Sequence, residues 1–261
     1  MDRIATRPAA TIVVIRERNA VLEILMLRRS PGVAAAPGAH VFPGGGLDGD
    51  DDVVAERGLI FGLSEELAAS RLALAKGALA HYAAALRELF EEAGILVACR
   101  GDGQAVTLDS DELARWRREV LDGEVAWTEL LEREGLRLDA SRVAYVAHWV
   151  TPEGWSRRFD TRFFAVAAPE GQEALPDGTE VDEASWRSAQ EVLALADAGE
   201  WTLLAPTRHT LKSLTSMTSV DEFLLASSLS PVVRIQPRIV EGAGRPRVLL
   251  PGEPGYDPTS D

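Results

Sequence analysis

Cysteine is almost absent: the 261 residues contain one, Cys99. That excludes an internal disulfide and any Cys₄ or Cys₂His₂ metal site. Histidine is scarce too, and the four residues at positions 40, 81, 148 and 209 show no zinc spacing. Positive charge is in deficit, 27 Lys and Arg against 41 Asp and Glu, for a net charge of −14. This balance argues against a nucleic-acid backbone or an anionic membrane as the main partner. A phosphorylated small molecule stays open, because local arginine clusters and metal ions override the global sign. No long apolar run is present; Ala9–Ile15 is too short to span a bilayer and lacks a signal-peptide cleavage pattern. Also missing are a Gly-x-Ser-x-Gly elbow, a Walker loop and any repeat of about 20–50 residues. The closing Pro-Thr-Ser-Asp is not a peroxisomal address. A cytoplasmic setting is the expectation.

What the chain does contain is concentrated in two places. Residues 87–95 read Arg-Glu-Leu-Phe-Glu-Glu-Ala-Gly-Ile, and a Phe-Pro-Gly-Gly-Gly turn lies upstream at 42–46. Glu88, Glu91 and Glu92 fall at i, i+3 and i+4, so in a helix three carboxylates share one face. Such like charges repel unless a cation sits among them, and hard oxygen ligands suit Mg²⁺ or Mn²⁺. Arg87, four residues before Glu91, can hold that carboxylate. Gly94 ends the helix where a left-handed cap is favoured. Glycines beside such a helix permit close backbone approach.

Arg87–Ile95 resembles the second half of the Nudix box, and Gly44-Gly45 resembles its opening glycine pair. In the usual box an acidic residue stands between the two halves. Here that residue is Asp50 or Asp51, and the stretch up to Arg87 is far longer than usual. The chain therefore resembles the Nudix branch whose box is split by an insertion, which includes coenzyme A diphosphatases. Trp149-Val150-Thr151-Pro152, the stretch from Arg157 to Phe164, and Glu180-Val181-Asp182-Glu183 resemble that branch as well. The resemblance covers most of residues 9–215.

It implies an α/β protein with the Nudix fold, a mixed β-sheet sandwiched between helices with a helical insertion. The reaction implied is hydrolysis of the pyrophosphate bond of a nucleoside diphosphate linked to another moiety. Coenzyme A or an acyl-CoA is favoured; ADP-ribose, NADH or a nucleotide sugar is the alternative. A nucleotide sensor without turnover is the rival from outside the enzymes. In this reading Glu88, Glu91 and Glu92 hold the metal, and Arg87 orients them. Glu88 and Arg87 belong to the catalytic set, and Gly44 and Gly45 adjoin the substrate. Glu180, with Glu183 second, is the candidate water-activating base because it follows the Pro176-Asp177-Gly178 turn.

Residue patterns predict one domain over 1–261, with an insertion at about 52–78, a helical excursion at about 107–135 and a proline-rich tail at about 229–261. Thr11–Ile15 and Leu22–Leu27 read as a hairpin, and His40–Phe42 as a brief strand. Gly44–Asp52 reads as irregular. Ser64 caps a predicted helix reaching about Lys76, Gly77 breaks it, and Leu79–Ala93 carries the carboxylates. Ser110–Leu121, Trp127–Glu134, Ala189–Ala196 and Thr207–Leu214 read as helices, and Val143–Val150 and Thr161–Ala167 as strands. Arg157-Arg158 is either a phosphate clamp or a charged hairpin tip, and Arg28-Arg29 poses the same choice. Cys99 and His148 read as packing residues. Trp149 and Trp155 either stack on a purine or belong to the core. Association as a homodimer is left open.

Overall fold

The computed structural model describes residues 4–240 and 247–256. β1 (Arg7–Arg18) and β2 (Val21–Arg29) form the expected hairpin, turning through Asn19 and Ala20, both with left-handed φ. Their pairing runs only from Arg18↔Val21 to Ile15↔Ile24, after which the strands part. The gap is filled by β3 (Ala39–Val41) against β2 and β4 (Gly44–Gly46) against β1. Ile12 N donates to Pro43 O at 2.9 Å, so the Phe-Pro-Gly-Gly turn is wedged inside the sheet.

Gly44–Asp52 is therefore regular except at Leu47 and Asp48, against expectation. Glycine has little strand propensity, but the ladder to Ala9, Ala10 and Thr11 supplies the order. α1 (Gly49–Glu56) follows at once, because Asp48 caps it in a capping box with Asp51. The insertion continues through β5 (Ile60–Phe61) and α2 (Glu65–Leu72), so it holds more than a loop and one helix. Ser64 caps α2 as expected, but Ala73 turns left-handed and ends it before Lys76.

α3 (Ala78–Ala93) is the carboxylate helix, buried on nearly every side. Ala80, Ala83, Ala84 and Ala85 leave room for close packing, while Tyr82 meets Phe164 with ring centroids 4.5 Å apart. β6 (Ala98–Arg100), α4 (Ser110–Leu121), α5 (Trp127–Glu134) and β7 (Leu136–Asp139) follow, with both helices at the expected bounds. β5, β7 and β6 make a small separate sheet that ties the insertion to the helical excursion.

The main sheet resumes with β8 (Ala144–Val150) and β9 (Phe159–Ala167), β9 running parallel to β1. β10 (Val181–Ser188) pairs antiparallel with β2 and was missed, since Val-Asp-Glu-Ala-Ser-Trp-Arg-Ser shows no apolar alternation. α6 (Ala189–Asp197), β11 (Thr202–Leu203), α7 (Ala205–Leu214), α8 (Val220–Leu229) and the short β12 (Arg234–Ile235) complete this part. α8 was also missed. In the tail, β13 (Arg238–Val240) pairs with β14 (Arg247–Leu249), whereas Pro246, Pro258 and the closing Pro-Thr-Ser-Asp lie outside the described residues.

The period of two along each strand divides the core. Ala10, Ile12, Val14, Leu25, Leu27, Phe164 and Val166 face α3 and its neighbours. Val13, Ile15, Ile24, Met26, Phe163 and Ala165 face α6, α7 and α8. The mixed sheet between helices is thus present. Among the described residues no helix is long and apolar enough to cross a membrane.

Candidate active site

Glu88, Glu91 and Glu92 lie on one side of the last turns of α3, and β4 is pressed against that face. A Cβ built on Gly45 would stand 2.4 Å from Glu88 Oε1, so no larger residue fits unless the carboxylate moves. A Cβ on Gly44 would stand 2.5 Å from Ala10 O on the other side. Gly44 N donates to Glu92 Oε2 at 2.9 Å. The glycine pair is needed for close approach on both faces.

Arg87 supplies the counter-charge. Its Nη1 donates to Glu88 Oε1 at 3.0 Å and to Glu91 Oε2 at 2.9 Å, and its Nη2 to Gly46 O at 3.0 Å. The remaining fork engages Asp51, through Nε to Oδ1 at 2.9 Å and Nη2 to Oδ2 at 3.0 Å. Asp51 is fully buried and also accepts from Asp48 N at 2.8 Å. The choice between Asp50 and Asp51 is thereby decided by position: Asp51 reaches Arg87, while Asp50 accepts from Thr128 N and caps α5. The insertion separates two ion-pair partners in sequence that remain bonded in space.

Burial dominates the titration of this cluster. Desolvation pushes Glu88 up to about 7, with Arg87 pulling the other way and Glu91 adding to the rise. Glu92 is pushed up to about 8, first by burial and then by the charge of Glu88. Glu91 and Asp51 are also raised by burial, against the pull of Arg87. For Arg87 itself burial opposes the charge, but the hydrogen bond and charge of Asp51, with Glu88 and Glu91, outweigh it.

Such a crowd of carboxylates suits a hard divalent ion. Glu92 Oε1 is buried without a hydrogen-bond partner, which leaves an oxygen lone pair to be satisfied. Among the described residues no three carboxylates are already gathered around one point. Glu88 and Glu91 each turn one oxygen to Arg87 and Glu92 turns one to Gly44, leaving three oxygens for a cation.

The other expected residues are placed as follows. Arg29 stands between two acids, its Nη1 4.0 Å from Glu92 Oε1 and its Nη2 3.9 Å from Glu180 Oε2. Glu180, 64% exposed at its side chain, therefore borders the cluster. Glu183 is turned to Arg28 at 3.2 Å, which also pairs with Asp182 at 2.7 Å. The turn before Glu180 is not loose: Asp177 accepts from the amides of Thr179, Glu180 and Val181, and from the Thr179 hydroxyl.

Arg158 is buried and donates to Thr151 O and Ile4 O, whereas Arg157 is exposed at the tip. His148 pairs with Asp160 at 2.7 Å, and Arg162 bonds the same carboxylate. Cys99 is buried with its thiol pushed up to about 11 by burial, so it is inert. Trp149 lies in the core edge-on to His209, and Trp155 is exposed. Sequence reasoning did not single out Arg29 within its arginine pair, and its signal is weak: strand ends often carry arginine.

The chain is similar to known proteins along most of its length. The acyl-coenzyme A diphosphatase NUDT19 of Homo sapiens is 29% identical over 275 residues, covering 91% of this chain and 73% of that protein. Its Gallus gallus counterpart is 27% identical, covering 92% and 74%. A solved NUDIX hydrolase from Alicyclobacillus acidocaldarius superposes with a TM-score of 0.69 at 28% identity, over 87% of this chain and 99% of that one. The family model described as the NUDT19 Nudix domain matches residues 61–213, more than half of the chain. With its glycine wedge, its arginine-bound carboxylates and this match, the chain belongs to the Nudix family.

Proposed function

We propose that the protein hydrolyses the diphosphate of coenzyme A or an acyl-CoA, releasing a 3′,5′-ADP and a phosphopantetheine part. The observation that carries this reading is the Glu88–Glu91–Glu92 face, with Glu92 buried and Glu88 and Glu91 half-buried, held by Arg87 beside Gly44 and Gly45. The diphosphatases it resembles along nine-tenths of its length supply the substrate class. Glu88, Glu91 and Glu92 would hold Mg²⁺ or Mn²⁺. When bound, such an ion neutralises the diphosphate and lowers the pKa of water.

The chain's own groups do the rest. Arg87 keeps Glu88 and Glu91 in one arrangement before substrate arrives, so little reorganisation accompanies reaction. Gly44 and Gly45 let the diphosphate approach the backbone. Arg29 lies where a guanidinium can meet a phosphate oxygen, in partial exchange for Glu92 and Glu180. Arg157, exposed at its hairpin tip, is a second guanidinium for an outlying phosphate. Glu180 accepts the proton from the attacking water, with Glu183 as the reserve. The partner is a small nucleoside diphosphate derivative, and the net charge of −14 disfavours nucleic acid and anionic membranes. A cytoplasmic setting accords with the single inert thiol.

Mass-spectrometric screening of CoA, acyl-CoAs, ADP-ribose, NADH and dinucleoside polyphosphates tests the reading. The expected outcome is a kcat/KM for CoA or an acyl-CoA at least about tenfold above the others. A preference for ADP-ribose or NADH would move the substrate class and keep the chemistry. Binding without products from any of them would favour the sensor.

A further inference from the structure

Arg117 is a buried cation whose hydrogen bonds, among the described residues, all go to backbone carbonyls. It comes from α4, in the helical excursion, and points at the C-terminal end of α3. Its Nε and Nη2 donate to Glu91 O at 2.8 and 2.6 Å, and its Nη1 donates to Leu175 O at 2.8 Å. Glu91 is one of the three carboxylate residues, and its carbonyl belongs to the last turn, where the helix leaves acceptors unmet. A cation is also favoured at that end by the helix dipole. Gly94 makes room, since a Cβ there would stand 3.3 Å from Arg117 Nη1.

Leu175 leads into the other half of the site. The segment before it is docked on the same helix end: Gln172 exchanges two hydrogen bonds with the Leu96 backbone, at 2.8 and 2.9 Å, and Leu175 N donates to Ala93 O at 3.0 Å. Two residues on, Asp177 gathers the amides of Thr179, Glu180 and Val181. Ser30 N holds Glu180 O at 2.8 Å, one residue from Arg29. The contacts therefore run without a break from Glu91 through Arg117 and Leu175 to the backbone of Glu180.

We propose that Arg117 is a positioning residue, fixing the carboxylate end of α3 against the turn that carries Glu180. The proposal rests on Glu180 serving as the base. A helix cap alone needs one acceptor, whereas this planar fork spans two segments that both end at the site. Lysine, a point charge on a flexible stem, cannot bridge them equally. Misplacement of about 1 Å at a reacting group costs on the order of 10² in rate.

The test uses the full chain with Mn²⁺. Arg117→Gln should lower kcat about 10–100-fold with KM changed less than about threefold. Arg117→Lys should recover part of the loss. Amide exchange at Gly178 and Val181 should accelerate at least about tenfold, while the β1 amides keep their protection. Combined with Glu180→Gln, Arg117→Gln should cost little more than Glu180→Gln alone, because both remove the same function. Gln172→Ala, which frees the same segment without emptying a buried charge, should give a smaller change in the same direction and serves if Arg117→Gln does not fold.

Unchanged kcat and exchange in the folded variants would overturn the proposal, as would losses that multiply in the double variant. Near-normal kcat in Glu180→Gln alone would instead overturn the base assignment. The clamp would then be judged by the exchange at 178 and 181 and by the kcat of Arg117→Gln.

Discussion

At the scale of residues, the energetics of the site are those of crowded buried carboxylates. Glu92 ionises near 4.5 in an unfolded chain, and the fold pushes it to about 8. The neutral form is the one the fold favours, so this contribution is intact below about pH 4.5 and is lost as pH rises through 8. His40, His81 and His209, pulled down by burial, act in the opposite sense, so the informative quantity is a difference between variants. Without metal, Glu92→Gln should match the wild type near pH 5 and exceed its stability by roughly 1–3 kcal/mol at pH 8.5. Thermal melts across that range check it, and equal stability at both pH values would contradict it. Asp51 carries the opposite lesson. Asp51→Ala removes the bidentate partner of the buried Arg87 guanidinium and should cost about 3–5 kcal/mol in denaturant titration. Glu180→Gln should lower kcat about 10²–10⁴-fold at near-constant KM, the range for losing a general base.

At the scale of elements, legibility followed periodicity. α3, α4 and α5 were readable because their apolar spacing, and in α3 the Gly94 stop, agree with the fold. The triplet of glutamates was readable for the same reason, since i, i+3, i+4 spacing survives any tertiary context. β4, β10 and the choice of Asp51 over Asp50 were not. β4 is three glycines ordered only by the ladder to Ala9–Thr11, and β10 is a polar strand ordered by β2. The partnership of Asp51 with Arg87 crosses 36 positions, a distance no local pattern reveals. The insertion also enters the carboxylate helix directly. Gly77 offers no side-chain cap to α3, and Glu65 replaces it by accepting from Ala78 N and Leu79 N, both at 2.9 Å. Glu65→Ala should therefore destabilise the protein by about 1–2 kcal/mol, the usual worth of a cap, with metal preference unchanged. A shift in metal preference would place the insertion nearer the ions than its contacts indicate.

At the scale of the molecule, the insertion and the helical excursion brace one helix from opposite ends. Glu65 holds the start of α3 from the insertion, Asp51 holds its Arg87 from just before the insertion, and Arg117 holds its far end from the excursion. Arg57 to Glu132 at 2.8 Å ties the two additions to each other, and Asp50, just before the insertion, adds a bond to Thr128 at 2.9 Å. Such bracing keeps three carboxylates together in a protein whose net charge would scatter them. The central claim is that these carboxylates hold the metal on which diphosphate cleavage depends. Its most direct test is the rate of coenzyme A cleavage by Glu92→Gln and wild type across a Mg²⁺ titration. The account predicts that wild-type turnover vanishes in excess chelator and returns with Mg²⁺, while folded Glu92→Gln stays at least about 10²-fold slower at every concentration. Wild-type rates in Glu92→Gln, or turnover undiminished by chelator, would contradict it.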